Sequence, residues 1–110
     1  MSERFAEVVA RLEALIASRK GADPQSSYTA KLLGAGPERA AKKFGEEAFE
    51  TALAAAKNDP EELAAESADL IYHWLVLLSS VNVSLDAVAA KLEAREGTSG
   101  IAEKASRSKD

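Results

Sequence analysis

Two acidic clusters are the residues of this chain best suited to chemistry: Glu46, Glu47 and Glu50, and then, after 15 intervening residues, Glu66 and Asp69. Each lies in an Ala-rich segment of helical character, where residues three apart project from the same helix face. If the two helices pack antiparallel, carboxylates from both converge, and they repel one another unless a cation lies among them. Oxygen ligands suit a hard divalent cation such as Mg²⁺, with Mn²⁺ as an alternative. The spacing therefore predicts magnesium-dependent phosphate chemistry, with Glu47, Glu50, Glu66 and Asp69 as the metal ligands.

The surroundings of the second cluster distinguish it from an ordinary solvated helix face. A single Glu-x-x-Glu pair is common on such faces and is weak evidence by itself. Asp69, however, directly precedes Leu70 and Ile71 in the most apolar segment of the chain, where an unpaired carboxylate is costly. No Lys or Arg occurs from residue 60 to residue 81, so charges from elsewhere must compensate these acids.

The four basic residues that most closely precede the first acidic cluster are Lys31, Arg39, Lys42 and Lys43. Lys43 lies one turn before Glu47, so one interpretation is a helix-surface ion pair worth a few tenths of a kcal/mol. The functional interpretation is phosphate capture, in which cations at the rim of the site bind polyphosphate oxygens while the metal binds others. We expect these four residues to bind the phosphates of a substrate.

A carboxylate-bridged di-iron bundle also gathers acids from several helices, but it needs Glu-x-x-His pairs. The single histidine, His73, is seven residues after Glu66 and four after Asp69, so that spacing is absent. We therefore expect His73 to be a packed or hydrogen-bonded residue beside the site. Tyr28, expected on a loop, could stack on a base. The aromatic residues expected in the core are Phe49, Tyr72 and Trp74.

Length and composition limit the possible classes of protein. A chain of 110 residues predicts one domain, 1–110, and 46% hydrophobic with 29% charged residues is ordinary for a globular protein. The net charge of −4 argues against nucleic-acid and membrane-surface partners, and the absence of cysteine excludes disulfides and thiolate chemistry. The N-terminal segment lacks the apolar run of a signal peptide, and the longest apolar stretch, 70–78, is too short to span a bilayer. These features predict a cytoplasmic protein.

Few aromatic residues and abundant Ala predict an all-α fold of four to five helices. Ser, Asp, Gly and Pro mark the expected helix boundaries. The predicted helices are 3–19, 37–57, 60–81 and 85–96, with a short helical turn at 27–33 and a polar, partly mobile tail at 98–110. The apolar stripes on these helices exceed what one small protomer can cover, so we expect a helical bundle completed by homodimerisation.

The segments around the acidic clusters resemble a known group of enzymes. Glu-Glu-x-x-Glu, followed after 15 residues by Glu-x-x-Asp, is similar to the all-α nucleotide pyrophosphohydrolase (MazG-like) superfamily. Within it, more specific segments resemble the phosphoribosyl-ATP pyrophosphohydrolase family over nearly the whole chain. These segments are Ser-Tyr-Thr-Ala-Lys-Leu at 27–32, Gly-Pro at 36–37, Ala-Lys-Lys-Phe-Gly-Glu-Glu at 41–47, Asp-Leu-Ile-Tyr-His at 69–73 and, as in the stand-alone form, the tail at 99–107.

The resemblance implies a helical homodimer with its site in a cleft between helices. It also implies that phosphoribosyl-ATP and water give phosphoribosyl-AMP and pyrophosphate, the second step of L-histidine biosynthesis. Mg²⁺ on the four carboxylates would bind the triphosphate and position or acidify a water for attack at the α–β linkage. The catalytic residues would be Glu46, Glu47 and Glu50, with Glu46 as candidate general base or supporting group. The residues expected to neutralise the leaving pyrophosphate are Lys31, Lys42 and Lys43.

Two other functions fit the same residues. A house-cleaning hydrolase would act on other nucleoside triphosphates, and a panel of nucleotides tested for pyrophosphate release would identify it. A non-catalytic helical dimerisation module would bind Mg²⁺ without turning over any nucleotide.

Overall fold

The computed structural model describes residues 2–97, and this part of the chain consists of five α-helices without a β-strand. The helices are α1 Ser2–Ser18, α2 Tyr28–Ala35, α3 Pro37–Ala56, α4 Pro60–Ser80 and α5 Leu85–Arg95. The all-α class is confirmed, and the ends of every helix except α2 lie within one residue of the prediction. The predicted tail, 98–110, lies outside the described residues.

Local signals in the sequence explain where α2 to α5 begin. The side chains of Ser27, Asp59 and Ser84 accept hydrogen bonds from backbone N–H groups in the first turns of α2, α4 and α5. Pro37 and Pro60 are the first residues of α3 and α4, where a missing N–H costs nothing.

The segment predicted as a short helical turn is a complete helix, α2, and it continues past Gly34 instead of ending there. The helix ends at Ala35 and is capped by Gly36, whose φ of 95° is easily adopted by glycine and costly for other residues. Tyr28 is thus the first residue of α2 and not a loop residue. A hydrogen bond of 2.6 Å between the hydroxyls of Thr29 and Tyr72 joins the start of α2 to α4.

α3 and α4 form an antiparallel pair joined by a tight turn at 57–59. Asn58, with φ 57°, supplies the left-handed backbone conformation at this turn. Close to the turn, Lys57 contacts Glu62, and farther from it Thr51 contacts Glu66. The two helices therefore run in opposite directions. The first acidic cluster therefore faces the second, as the sequence predicts.

The core of the single chain is small. Its buried cluster joins α1 to α4 through Ile16, Leu32, Ala40, Leu75 and Val76. The radius of gyration is 16.1 Å, whereas a compact domain of about 100 residues has a value of about 13 Å. One chain alone is therefore more open than a filled helical bundle.

Several large apolar side chains remain exposed. Phe49 is 63% exposed, so the prediction that it belongs to the core is wrong for the single chain. On α1, Phe5, Val8 and Leu15 also face solvent, because only one side of this helix packs against the core. Despite these apolar residues, no single helix within 2–97 is long and apolar enough to cross a membrane. α4 and α5 meet that requirement only as a pair, bent by 107°.

Candidate active site

A threonine lies between α3 and α4 at the level of the acidic residues. The Thr51 hydroxyl oxygen lies 2.7 Å from the carbonyl oxygen of Glu47 on its own helix and 3.1 Å from that of Glu66 on α4. It can donate to either carbonyl, and both belong to residues predicted as metal ligands. Thr51 is not among the residues predicted for the site. The available signal was a hydroxyl residue four positions after Glu47 in an Ala-rich helix.

Three of the four predicted metal ligands meet between α3 and α4. One carboxylate oxygen each from Glu47, Glu66 and Asp69 lie within 4.8 Å of one another, and we refer to these residues as the carboxylate cluster. Glu47 and Glu66 are half-buried and Asp69 is exposed, so the cluster opens to solvent on one side. Glu50, the fourth predicted ligand, is exposed on α3 and does not belong to this grouping.

The pKa of Glu66 is raised above its ordinary value. Loss of hydration is the largest cause, and the charges of Glu47, Glu50, Asp69 and Glu62 contribute in that order. Glu50 therefore lies near enough to act on Glu66, although it is outside the carboxylate cluster. A cation bound among these residues would relieve the same repulsion.

The described cations do not compensate the carboxylate cluster. Within residues 2–97 there are two salt bridges, Lys43 to Glu46 at 3.5 Å and Lys57 to Glu62 at 3.3 Å, and neither includes a member of the cluster. An anionic, all-oxygen donor set open to solvent is what a hard divalent cation prefers. The residues present therefore fit a metal ion of that class.

His73 is packed and hydrogen-bonded next to Asp69, as the sequence predicts. Its Nδ1 lies 2.9 Å from the carbonyl oxygen of Asp69, and since a carbonyl can only accept, Nδ1 must donate. The ring is buried and lies edge-on to Tyr72, at 4.9 Å between centroids, and to Tyr28, at 6.5 Å. Its Nε2 has no hydrogen-bond partner in the described part of the chain.

The four predicted phosphate-binding residues divide into two pairs. Lys42 and Lys43 lie on α3 within one turn of the first acidic cluster, and Lys43 is half-buried beside Glu46. Lys31 and Arg39 line a separate cavity of about 340 Å³ between α2 and the start of α3. We name it the Tyr28 cavity, and its lining residues are Tyr28, Lys31, Leu32, Ala35 and Arg39.

A second cavity, of about 330 Å³, lies between α1 and the end of α4, away from the carboxylate cluster. Its charged side chains are already paired within the chain. The Lys20 ammonium donates to the Asn82 side chain at 2.6 Å, and Glu13 accepts from the backbone N–H of Leu85 at 2.8 Å. These bonds anchor the turn before α5, so this cavity has a structural explanation.

Known proteins are similar to this sequence over nearly its full length. The sequence profile of the phosphoribosyl-ATP pyrophosphohydrolase family matches residues 9–96. A phosphoribosyl-ATP pyrophosphatase from Caulobacter vibrioides (strain NA1000 / CB15N) is 65% identical over 97% of this chain and 99% of the relative. The protein of that name from Dinoroseobacter shibae is 61% identical over 91% of this chain and 98% of the relative. The chain therefore belongs to the phosphoribosyl-ATP pyrophosphohydrolase family.

Proposed function

We propose that this chain hydrolyses phosphoribosyl-ATP to phosphoribosyl-AMP and pyrophosphate, the second step of L-histidine biosynthesis, at the carboxylate cluster. The observation that carries the proposal is the convergence of the Glu47, Glu66 and Asp69 carboxylates, with Lys42 and Lys43 one turn before Glu47 on α3. A metal-bound polyphosphate needs both features. Identities of about 60–65% to phosphoribosyl-ATP pyrophosphatases over nearly the whole chain support the substrate.

The carboxylate cluster would hold Mg²⁺ or, in its place, Mn²⁺. When bound, such an ion would neutralise triphosphate oxygens and lower the pKa of a water near the α–β linkage. The Thr51 hydroxyl keeps the carboxylates of α3 and α4 in register. Lys42 and Lys43 would pair with the oxygens of the leaving pyrophosphate as negative charge develops there.

The proton of the attacking water needs an acceptor, and the choice lies between Glu46 and Glu50. Glu46 faces Lys43, and it is not among the carboxylates whose charge raises the pKa of Glu66. The charge of Glu50 raises the pKa of Glu66, and Glu50 forms no salt bridge within residues 2–97. The sequence favours Glu46 as base, whereas these charges favour Glu50 as the acceptor and Glu46 as the group that orients Lys43.

A homodimer is the functional unit in this proposal. The open shape of one chain and its solvent-facing apolar side chains support it, because a second copy would cover such a surface. The exposed apolar residues outside the carboxylate cluster and the Tyr28 cavity include Phe5, Val8, Leu15, Val81, Val83 and Leu92. α1 and α5 are the helices that gain most from a partner, since α5 has no buried residue of its own.

The deciding experiment is incubation of the purified protein with phosphoribosyl-ATP and Mg²⁺, with release of pyrophosphate as the readout. Pyrophosphate together with phosphoribosyl-AMP is the expected result, and EDTA should abolish it. ATP, dUTP and other nucleoside triphosphates are run beside it at equal concentration. Faster turnover of one of these would identify a house-cleaning hydrolase, and Mg²⁺ binding without any turnover would identify a non-catalytic module.

A further inference from the structure

The Tyr28 cavity, lined by Lys31 and Arg39, has no role in the hydrolysis proposed above. We propose that it binds the 5′-phosphate of the phosphoribosyl group and so selects phosphoribosyl-ATP over nucleoside triphosphates that lack this phosphate. The assignment rests on the proposed function and deepens it. It separates Lys31 and Arg39, which bind the monophosphate, from Lys42 and Lys43, which bind the triphosphate.

The cavity lies along the same helix face as the metal site. Arg39, Lys43 and Glu47 are spaced by four residues on α3, so they project from one side of that helix. At a rise of 1.5 Å per residue, the backbone positions of Arg39 and Glu47 are about 12 Å apart. On α4, His73 follows Asp69 by one turn, and its ring lies 6.5 Å from that of Tyr28. The Tyr28 cavity therefore lies on the same side of α3 as Glu47, about two helical turns away.

The substrate has matching chemistry. Phosphoribosyl-ATP carries a triphosphate at one end and a monophosphate at the other, with a nucleoside between them. If the carboxylate cluster holds the triphosphate through a metal ion, the second phosphate must lie at a distance from the cluster. A cavity displaced by two helical turns, with cations in its lining, is a suitable place for it.

The lining of the cavity suits a phosphate ester. Lys31 and Arg39 form no salt bridge within residues 2–97, and none of the five lining residues is acidic. A guanidinium can bind two phosphate oxygens at once, and an ammonium adds a third contact. Tyr28 is 55% exposed, so its ring offers a face on which the sugar or the base can pack.

The test compares Arg39→Gln and Lys31→Gln with Lys57→Gln, a matched loss of one positive charge at the far end of α3. For each protein, KM and kcat are measured with phosphoribosyl-ATP and Mg²⁺, together with inhibition constants for ribose 5-phosphate and ATP. In Arg39→Gln we expect KM and the inhibition constant of ribose 5-phosphate to rise at least about tenfold, the range of a lost charge-assisted hydrogen bond. Lys31→Gln should change both in the same direction by a smaller factor.

The same experiment can overturn the assignment. The proposal requires that kcat and the inhibition constant of ATP stay within about twofold in both cavity variants, and that Lys57→Gln resembles the parent. A parallel rise in the inhibition constant of ATP, or a fall in kcat, would place these cations on the triphosphate. Unchanged KM, or a parent that ribose 5-phosphate does not inhibit, would also refute it.

Failure of the proposed function would be recognised separately. A parent protein that releases no pyrophosphate from phosphoribosyl-ATP would refute hydrolysis. Calorimetric titration of the parent and Arg39→Gln with ribose 5-phosphate would then test binding in the Tyr28 cavity independently of turnover. Binding that is lost in the variant supports the cavity, and equal or absent binding refutes it.

Discussion

Glu47 and Asp69 contribute carboxylates from opposite helices to one point, so neither can replace the other. We expect Glu47→Gln and Asp69→Asn each to lower turnover at least about a hundredfold, because each removes a charge that the bound ion requires. Glu62→Gln is the matched control, since Glu62 lies on the same face of α4 but pairs with Lys57. Pyrophosphate release at saturating Mg²⁺ measures all three. Equal losses in all three variants would mean that the site lies elsewhere.

Glu46 and Glu50 are alternative candidates for the general base, and substitutions of the two residues should have different effects. Glu50→Gln should lower kcat by about a hundredfold or more, the usual contribution of a positioned base. Glu46→Gln should lower it by less than about tenfold, because Glu46 faces Lys43. Rates under single-turnover conditions separate this chemical step from product release. If Glu46→Gln gives the larger loss, the original sequence-based assignment of the base is correct.

The raised pKa of Glu66 predicts how metal-free stability depends on pH. The folded state holds this proton more tightly than the unfolded state, so the group favours folding below its ordinary pKa of about 4.3. That contribution is lost as pH rises from there through the raised pKa. Glu66→Gln should therefore melt at a higher temperature than the parent at neutral pH in EDTA, and the difference should shrink towards pH 4.

Two controls accompany this measurement. Glu93→Gln removes an acid on α5, away from the cluster, and should show no such pH-dependent gain. Mg²⁺ at constant ionic strength should raise the melting temperature of the parent and raise that of Glu66→Gln much less, since it binds the folded site. An equal rise in both proteins would argue that these carboxylates do not form the metal site.

At the scale of the elements, the α3–α4 pair depends on Thr51 for its register. Thr51→Val keeps the shape of the side chain but removes the hydroxyl between Glu47 and Glu66. We expect a loss of about 1 kcal/mol in the free energy of unfolding and a several-fold weaker apparent affinity for Mg²⁺. Thr51→Ser should retain the Mg²⁺ affinity. Urea unfolding and Mg²⁺ titration provide the two readouts.

The outcomes for Thr51 distinguish two roles. Weakened Mg²⁺ binding in Thr51→Val that Thr51→Ser restores means that the hydroxyl positions the carboxylates. A loss of stability with unchanged Mg²⁺ affinity means that Thr51 only holds the two helices together.

At the scale of the whole molecule, the small core predicts a dimer in solution. Light scattering at micromolar concentration should give twice the 11.6 kDa mass of one chain. Leu15 is 48% exposed on α1, and Leu15→Glu should shift the protein towards the single-chain mass because a buried charge in an interface is costly. Ala10→Glu, on another side of the same helix, should remain dimeric. A parent protein with the mass of one chain would contradict the proposal.

The sequence allowed the helices to be predicted because their signals are local. Ser27, Asp59 and Ser84 bond to their own first turns, and Pro37 and Pro60 start the helices that follow them. The exception is α2, which Gly34 was expected to end, whereas the helix continues two residues beyond the predicted end to Ala35. A single glycine costs only about 1 kcal/mol inside a helix, which packing of α2 against α4 can offset.

The sequence by itself also determined which acids share a helix face, because a period of 3.6 residues requires only the chain's own geometry. Only the tertiary structure decided that Glu47, and not Glu50, meets Glu66 and Asp69. It likewise decided that Lys31 and Arg39 line one cavity, and that Phe49 faces solvent. These outcomes depend on how each helix is rotated and shifted against its neighbours. Packing and contacts such as those of Thr51, between residues distant in sequence, set that arrangement, so no local pattern encodes it.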